Sequence, residues 1–129
     1  MEVLDARCTV ISNAEALNLL ITAKAKQNKE RSLRQHQTVL YETVKYLKET
    51  PAISQTEQHV VELMKALEPY KLTGAEVLQI VNHRPTDSLG LGVLIEECDE
   101  RINDDQMGEI LDIVIRILPA PVNEASEAS

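Results

Sequence analysis

The chain reads as an all-α protein. Three observations carry that reading: apolar side chains recur every three or four residues in successive segments, capping residues stand just before several of these stripes, and prolines close them. The best-bounded case runs from Leu72 to Pro85. Thr73 followed three residues later by Glu76 forms a capping box, in which each side chain takes up a backbone N–H that the first helical turn leaves unpaired. At the far end the ring of Pro85 drives Arg84 out of helical geometry, so this helix is expected to finish at Asn82 or His83.

In chain order, residues 3 to 11 carry Val3, Leu4, Val10 and Ile11 but are too short and interrupted for a stable helix, and predict a short strand or an extended arm. Ser12 or Asn13 offers a cap for a first helix over 14–27, where Leu17, Leu20, Ile21 and Ala25 recur at helical spacing. Asn28 to Gln35 is polar and charged and predicts an exposed, mobile connection. A second helix over 36–49 has Val39, Leu40, Thr43, Val44 and Leu47 on one stripe, and Pro51 stops it. The third is capped by Ser54 or Thr56, carries Val60, Leu63, Met64 and Leu67, and ends near Pro69.

The helix from Thr73 is the fourth. A fifth is expected over 88–101 through Leu91, Leu94, Ile95, Cys98 and Ile102. Its first turn is expected to be irregular, because Gly90 and Gly92 each cost about 1 kcal/mol in a helix interior. The sixth has the clearest signal. Asn103 caps it, Asp104 and Asp105 suit the positive helix start, and Met107, Ile110, Leu111, Val114, Ile117 and Leu118 line one face. Pro119 and Pro121 end it, and the acidic segment from Val122 to Ser129 is expected to be disordered. The chain thus divides into a partner-binding arm, first helix and basic linker (1–35), a helical bundle (36–118) and a tail (119–129).

The 129 residues suffice for one domain with an attached arm. With no Phe or Trp and three Tyr, any core is built from Leu, Ile and Val. Each buried aliphatic side chain contributes about 1.5–3 kcal/mol, so aromatics are not required. Their scarcity counts against binding single strands by base stacking. The net charge of −8 is also unevenly spread: residues 1–95 balance, whereas residues 96–129 carry ten acidic side chains against Arg101 and Arg116. Such a surface repels phosphate backbones. One basic cluster opposes it, Lys24, Lys26, Lys29, Arg31 and Arg34, and reads as a solvated helix end and linker, with contact to an acidic partner or nucleic acid as the alternative.

Nothing in the sequence predicts catalysis. His36, His59 and His83 are scattered, Cys8 and Cys98 stand far apart at neither metal-ligand nor redox spacing, and Glu96, Glu97, Asp99 and Glu100 read as a solvated face that a basic partner would fit. No metal or other cofactor is expected. The start of the chain lacks the basic and apolar runs of a secretory signal, and no stretch is apolar enough to span a membrane, so a soluble, intracellular protein is expected. Two groups of residues remain as candidate contacts. Val3, Leu4, Val10, Ile11, Leu17, Leu20 and Ile21 form more apolar surface than a free arm should show, which predicts a protein interface. Asn82 and Arg84, at the end of the fourth helix, either cap carbonyls or contact a partner protein or nucleic acid.

The run Leu72-Thr73 with Ala75-Glu76, Leu78-Gln79 and Asn82-His83-Arg84-Pro85 resembles the small stalk subunit of RNA polymerase III, a family also called the calcitonin-gene-related-peptide receptor component protein. Three further segments fall in the family's order: Ser12-Asn13 and Glu15 leading to Leu19-Leu20, Tyr41 to Leu47 leading to Thr50-Pro51, and Ile95 to Ile102 followed by Asp104-Asp105-Gln106. The resemblance covers residues 10 to 118. It departs from the pattern at Gly74, Gly90, Gly92 and the short 28–35 linker. It implies a bundle of the HRDC-like type and a heterodimer with a larger stalk subunit carrying an oligonucleotide-binding barrel, on whose tip domain the arm and first helix dock. It also implies attachment to the polymerase core, contact with initiation factors, support of initiation at transfer-RNA and 5S ribosomal-RNA genes, weak or indirect nucleic-acid contact, and residence in the nucleus with or without a cytoplasmic pool. Catalysis would belong to other chains. Three alternatives stay open: the equivalent RNA polymerase II subunit, an adaptor coupling a peptide-hormone receptor, and an HRDC-type nucleic-acid-binding module.

Overall fold

The structure is a computed structural model that describes residues 9–25 and 34–120. Among these residues there are seven α-helices and no strand. They are α1 (Asn13–Ala25), α2 (Arg34–Lys48), α3 (Glu57–Leu67), α4 (Gly74–His83), α5 (Ser88–Gly92), α6 (Cys98–Arg101) and α7 (Asp104–Ile117). Single 3-10 turns at Pro51–Ser54 and Glu68–Tyr70 follow α2 and α3. The all-helical expectation is met. Val3, Leu4 and Cys8, most of the expected linker and the acidic tail from Val122 lie outside the described residues.

The caps act where local sequence places them. Thr73 Oγ1 accepts from Glu76 N at 3.2 Å while Glu76 Oε1 accepts from Thr73 N at 2.9 Å. Asn103 and Gln106 make the same reciprocal pair at the start of α7. For α3 the cap is Thr56 rather than Ser54, and the returning group is the imidazole of His59, whose Nδ1 accepts from Thr56 N at 3.1 Å. Each such cap stabilises its helix by about 1 kcal/mol.

One element departs from expectation. The fifth helix is two short helices, because α5 ends at Gly92 and α6 starts only at Cys98, after Glu97 turns left-handed with φ 51°. The stripe survives the break, since Leu91, Ile95, Cys98 and Ile102 are all buried in one cluster. Gly90 sits close under its own cap: Asp87 Oδ1 accepts from its N–H at 2.6 Å, and a Cβ there would meet that oxygen at 3.0 Å, so the Asp87 side chain would have to shift. A second departure is that Arg34 and Gln35 already belong to α2.

The buried apolar residues form two clusters. Ala14 and Leu17 of α1 pack with Leu40, Val44 and Leu47 of α2 and with Ala52 of the following turn. The larger cluster joins α3, α4, α5, α6 and α7 around Leu63, Ile80, Leu91, Ile110 and Leu118, with α7 lying against both α3 and α5. α2, grouped with the bundle by sequence, thus shares its core with α1. Two polar bonds join the halves: Asn13 N donates to Asn82 Oδ1 at 2.9 Å, and Gln55 Nε2 donates to Val81 O at 2.6 Å.

Candidate partner interface

α1 contains the run Leu19-Leu20-Ile21, and three consecutive apolar residues cannot share one helix face, because each step turns about 100°. The fold resolves this by burying one side only. Ala14 and Leu17 are buried and Leu20 packs at the cluster's edge, whereas Leu19 is 62% exposed and Ile21 also faces outward. The uncovered side is mixed, with Leu19 standing among the exposed Glu15, Asn18 and Thr22. Here α2 covers half of the helix.

Beside that uncovered side runs an apolar cleft of about 580 Å³, walled by Val10 and Glu15, by Val60 and Met64 of α3, and by Val77 and Leu78 of α4. A smaller hollow lined by Ala14, Glu15, Asn18, Leu19, Glu57 and Val60 shares Glu15 and Val60 with it, so the two form one track from α4 across α3 to Leu19, more polar at the Leu19 end. Val10, 75% exposed, and Met64 stand along this track without burial. Open apolar grooves of this kind serve as protein-binding surfaces.

The candidate residues separate on this surface. Val10 lines the track, Ile11 and Ile21 are exposed, Leu20 is half-buried, and Leu17, 4% exposed, is committed to the chain's own core. Leu19 was not singled out by the stripe, which follows the inward face; the signal that reveals it is the unbroken apolar run.

Asn82 and Arg84 are occupied within the chain. Asn82 Oδ1 receives the N–H of Asn13 at the start of α1. Arg84 ends α4 in the left-handed conformation at φ 44°, its own N–H donates to Ile80 O at 2.9 Å, and its Nε donates to Leu118 O at 3.0 Å, the residue ending α7. A left-handed non-glycine residue costs of order 1 kcal/mol, which these two bonds offset.

The strongest electrostatic feature lies elsewhere. Glu76 is buried, receives Arg101 through both oxygens and also accepts from Glu96 N at 2.9 Å. The guanidinium, reinforced by these backbone N–H groups against the opposing effect of burial, holds its carboxyl down at about 2. The site is structural, because both carboxylate oxygens are taken up by protein donors. Burial pushes the Cys98 thiol up, away from thiolate reactivity. Among the described residues no three His, Cys, Asp or Glu side chains come together as metal ligands, and no helix is long and apolar enough to cross a membrane.

Comparison with known proteins fits this non-catalytic surface. The chain is 39% identical over 59 residues to DNA-directed RNA polymerase III subunit RPC9 of Saccharomyces cerevisiae, a match spanning 46% of this chain and 37% of that protein. It is 32% identical over 100 residues to RNA polymerase III subunit rpc9 of Dictyostelium discoideum, covering 73% of this chain and 74% of the relative. The corresponding subunit of Schizosaccharomyces pombe is 26% identical across its whole length and 92% of this chain. The profile of the RNA polymerase Rpb4 family matches residues 10–118, a span that starts at the track-lining Val10 and ends at Leu118, and the chain belongs to that family.

Proposed function

We propose that this chain is the small, non-catalytic stalk subunit of RNA polymerase III, and that it pairs with a larger stalk subunit through the uncovered side of α1 and the adjoining apolar track. The observation that carries the pairing is Leu19, 62% exposed on the side of α1 that α2 leaves uncovered, where it lines the hollow that adjoins the apolar cleft. Family membership supports the polymerase role, and the relatives named as polymerase III subunits support the choice of enzyme.

In this reading α1 and Val10 dock on the tip of the larger subunit, together with Val3 and Leu4 from the start of the chain. The bundle of α3–α7, of HRDC-like type, projects beside it toward initiation factors. The pair supports initiation at transfer-RNA and 5S ribosomal-RNA genes in the nucleus. Phosphodiester chemistry and its metal ions reside in other subunits. The acidic surface keeps this chain's own nucleic-acid contact weak or indirect.

The test is reconstitution with the larger stalk subunit. Val10→Asp with Leu19→Asp should abolish co-purification while leaving the far-ultraviolet circular dichroism unchanged, and Ile115→Asp on the exposed side of α7 should leave pairing intact. Pairing that survives the first variant removes the track from the interface.

A further inference from the structure

A second surface lies on the opposite chemistry from the apolar track and shares no lining residue with it. Leu89 of α5 and Val93, which caps the end of that helix, stand four residues apart and are 79% and 76% exposed. They stand at the edge of an open cleft of about 660 Å³ whose remaining wall includes Glu97, Asp99, Glu100 and Asp104. Two large apolar side chains fully in water beside four carboxylates make a surface that is apolar at one edge and anionic along the other.

The negative charge there is not neutralised from within. Of the two basic residues in this part of the chain, Arg101 is turned inward onto Glu76 and Glu96 O, and Arg116 sits in the last turn of α7. Glu97, Asp99, Glu100 and Asp104 have no ion-pair partner among the described residues. Phosphate backbones and anionic lipid surfaces are repelled by such a rim. A cationic, apolar ligand is complementary to it.

We propose that the α5–α7 cleft binds a basic amphipathic helix of a partner protein, with apolar side chains of the helix against Leu89 and Val93 and its Lys or Arg residues against Glu97, Asp99, Glu100 and Asp104. The spacing of Leu89 and Val93 matches one turn of an apposed helix, whose apolar positions repeat at the same interval. The acidic rim raises the association rate, and the apolar pair sets the dissociation rate. Binding weakens as salt rises.

The experiment uses the full chain and a labelled synthetic peptide with Leu at i and i+4 on one face and Lys on the others. Fluorescence anisotropy gives the affinity at low and high salt, and amide chemical shifts locate the site. Saturable binding is expected, with shifts centred on residues 88–104. Leu89→Ser with Val93→Ser should weaken binding about tenfold or more, as should Glu97→Lys with Asp99→Lys. All four side chains are exposed, so folding is kept, and circular dichroism verifies it. A peptide with Glu in place of Lys should not bind. The proposal is overturned if the shifts fall elsewhere, if the Leu89/Val93 variant binds as well as the parent, which would mean bare charge attraction, or if sedimentation shows the cleft occupied by a second copy of this chain. None of these outcomes bears on pairing through the α1 track.

Discussion

Arg101 grips Glu76 in a two-pronged pair, Nη1 to Oε2 at 2.8 Å and Nη2 to Oε1 at 2.9 Å, and so ties the end of α6 to the first turn of α4. The same carboxylate closes the capping box with Thr73 and receives the N–H of Glu96 in the turn before α6. One side chain thus serves a local cap and a long-range clamp. The left-handed turn at Glu97, which splits the expected fifth helix, lies within that clamp.

Removing the charge at Glu76 leaves the guanidinium and two backbone donors poorly matched. Glu76→Gln is expected to destabilise the fold by about 2 kcal/mol, a value reduced from that of a fully buried pair because Arg101 is partly open to solvent. Urea denaturation should show the midpoint falling with an unchanged slope.

The same pair predicts how stability depends on acid. The Glu76 carboxyl is held at about 2 in the fold against 4.5 when free. A lowered folded value means stability that is fully present above 4.5 and is lost as pH falls from there toward 2. Thermal melts between those limits should show the parent losing more stability than Glu76→Gln, so that the two converge at the acid end. Parallel curves would show that Glu76 is not the group responsible.

Asn82→Ala removes the acceptor for the first backbone N–H of α1. A lost cap of this kind costs about 1 kcal/mol. Hydrogen exchange should speed up at residues 13–16 while the core amides of α7 stay protected, because the bond joins the two clusters without belonging to either core.

Leu17 and Leu19 should separate stability from assembly. Leu17→Asp buries a carboxylate among Ala14, Leu40 and Val44 and is expected to unfold the α1–α2 half. Leu19→Asp, on the exposed side, should leave the melting temperature nearly unchanged and weaken pairing. Differential scanning calorimetry with co-purification of both variants checks this.

What was legible in the sequence is what depends on neighbours in sequence. The box at Thr73, the cap at Asn103, the stops at Pro51 and Pro85, and the α7 stripe through Ile110 and Val114 are local, and each is found where the residues place it. The break between α5 and α6 was hidden because Arg101 and Glu96 meet Glu76 across 25 and 20 residues of chain. The α1 interface was only half visible. Helical spacing identifies Leu17, Leu20 and Ile21 as one stripe, but it gives no sign that Leu19, on the opposite side, stays exposed beside a cleft built by α3 and α4. The partners of Asn82 and Arg84 lie 69 and 34 residues away, so their caps were open to two readings until the fold brought Asn13 and Leu118 to them.

The central claim is that this chain works as a paired subunit of RNA polymerase III, and one measurement tests it most directly: gentle affinity purification of the tagged protein from its native cells, with partners identified and counted by mass spectrometry. The account predicts equimolar recovery of a larger stalk subunit together with polymerase III core chains. Stoichiometric recovery of polymerase II chains or receptor-associated proteins, or of no partner, would contradict it.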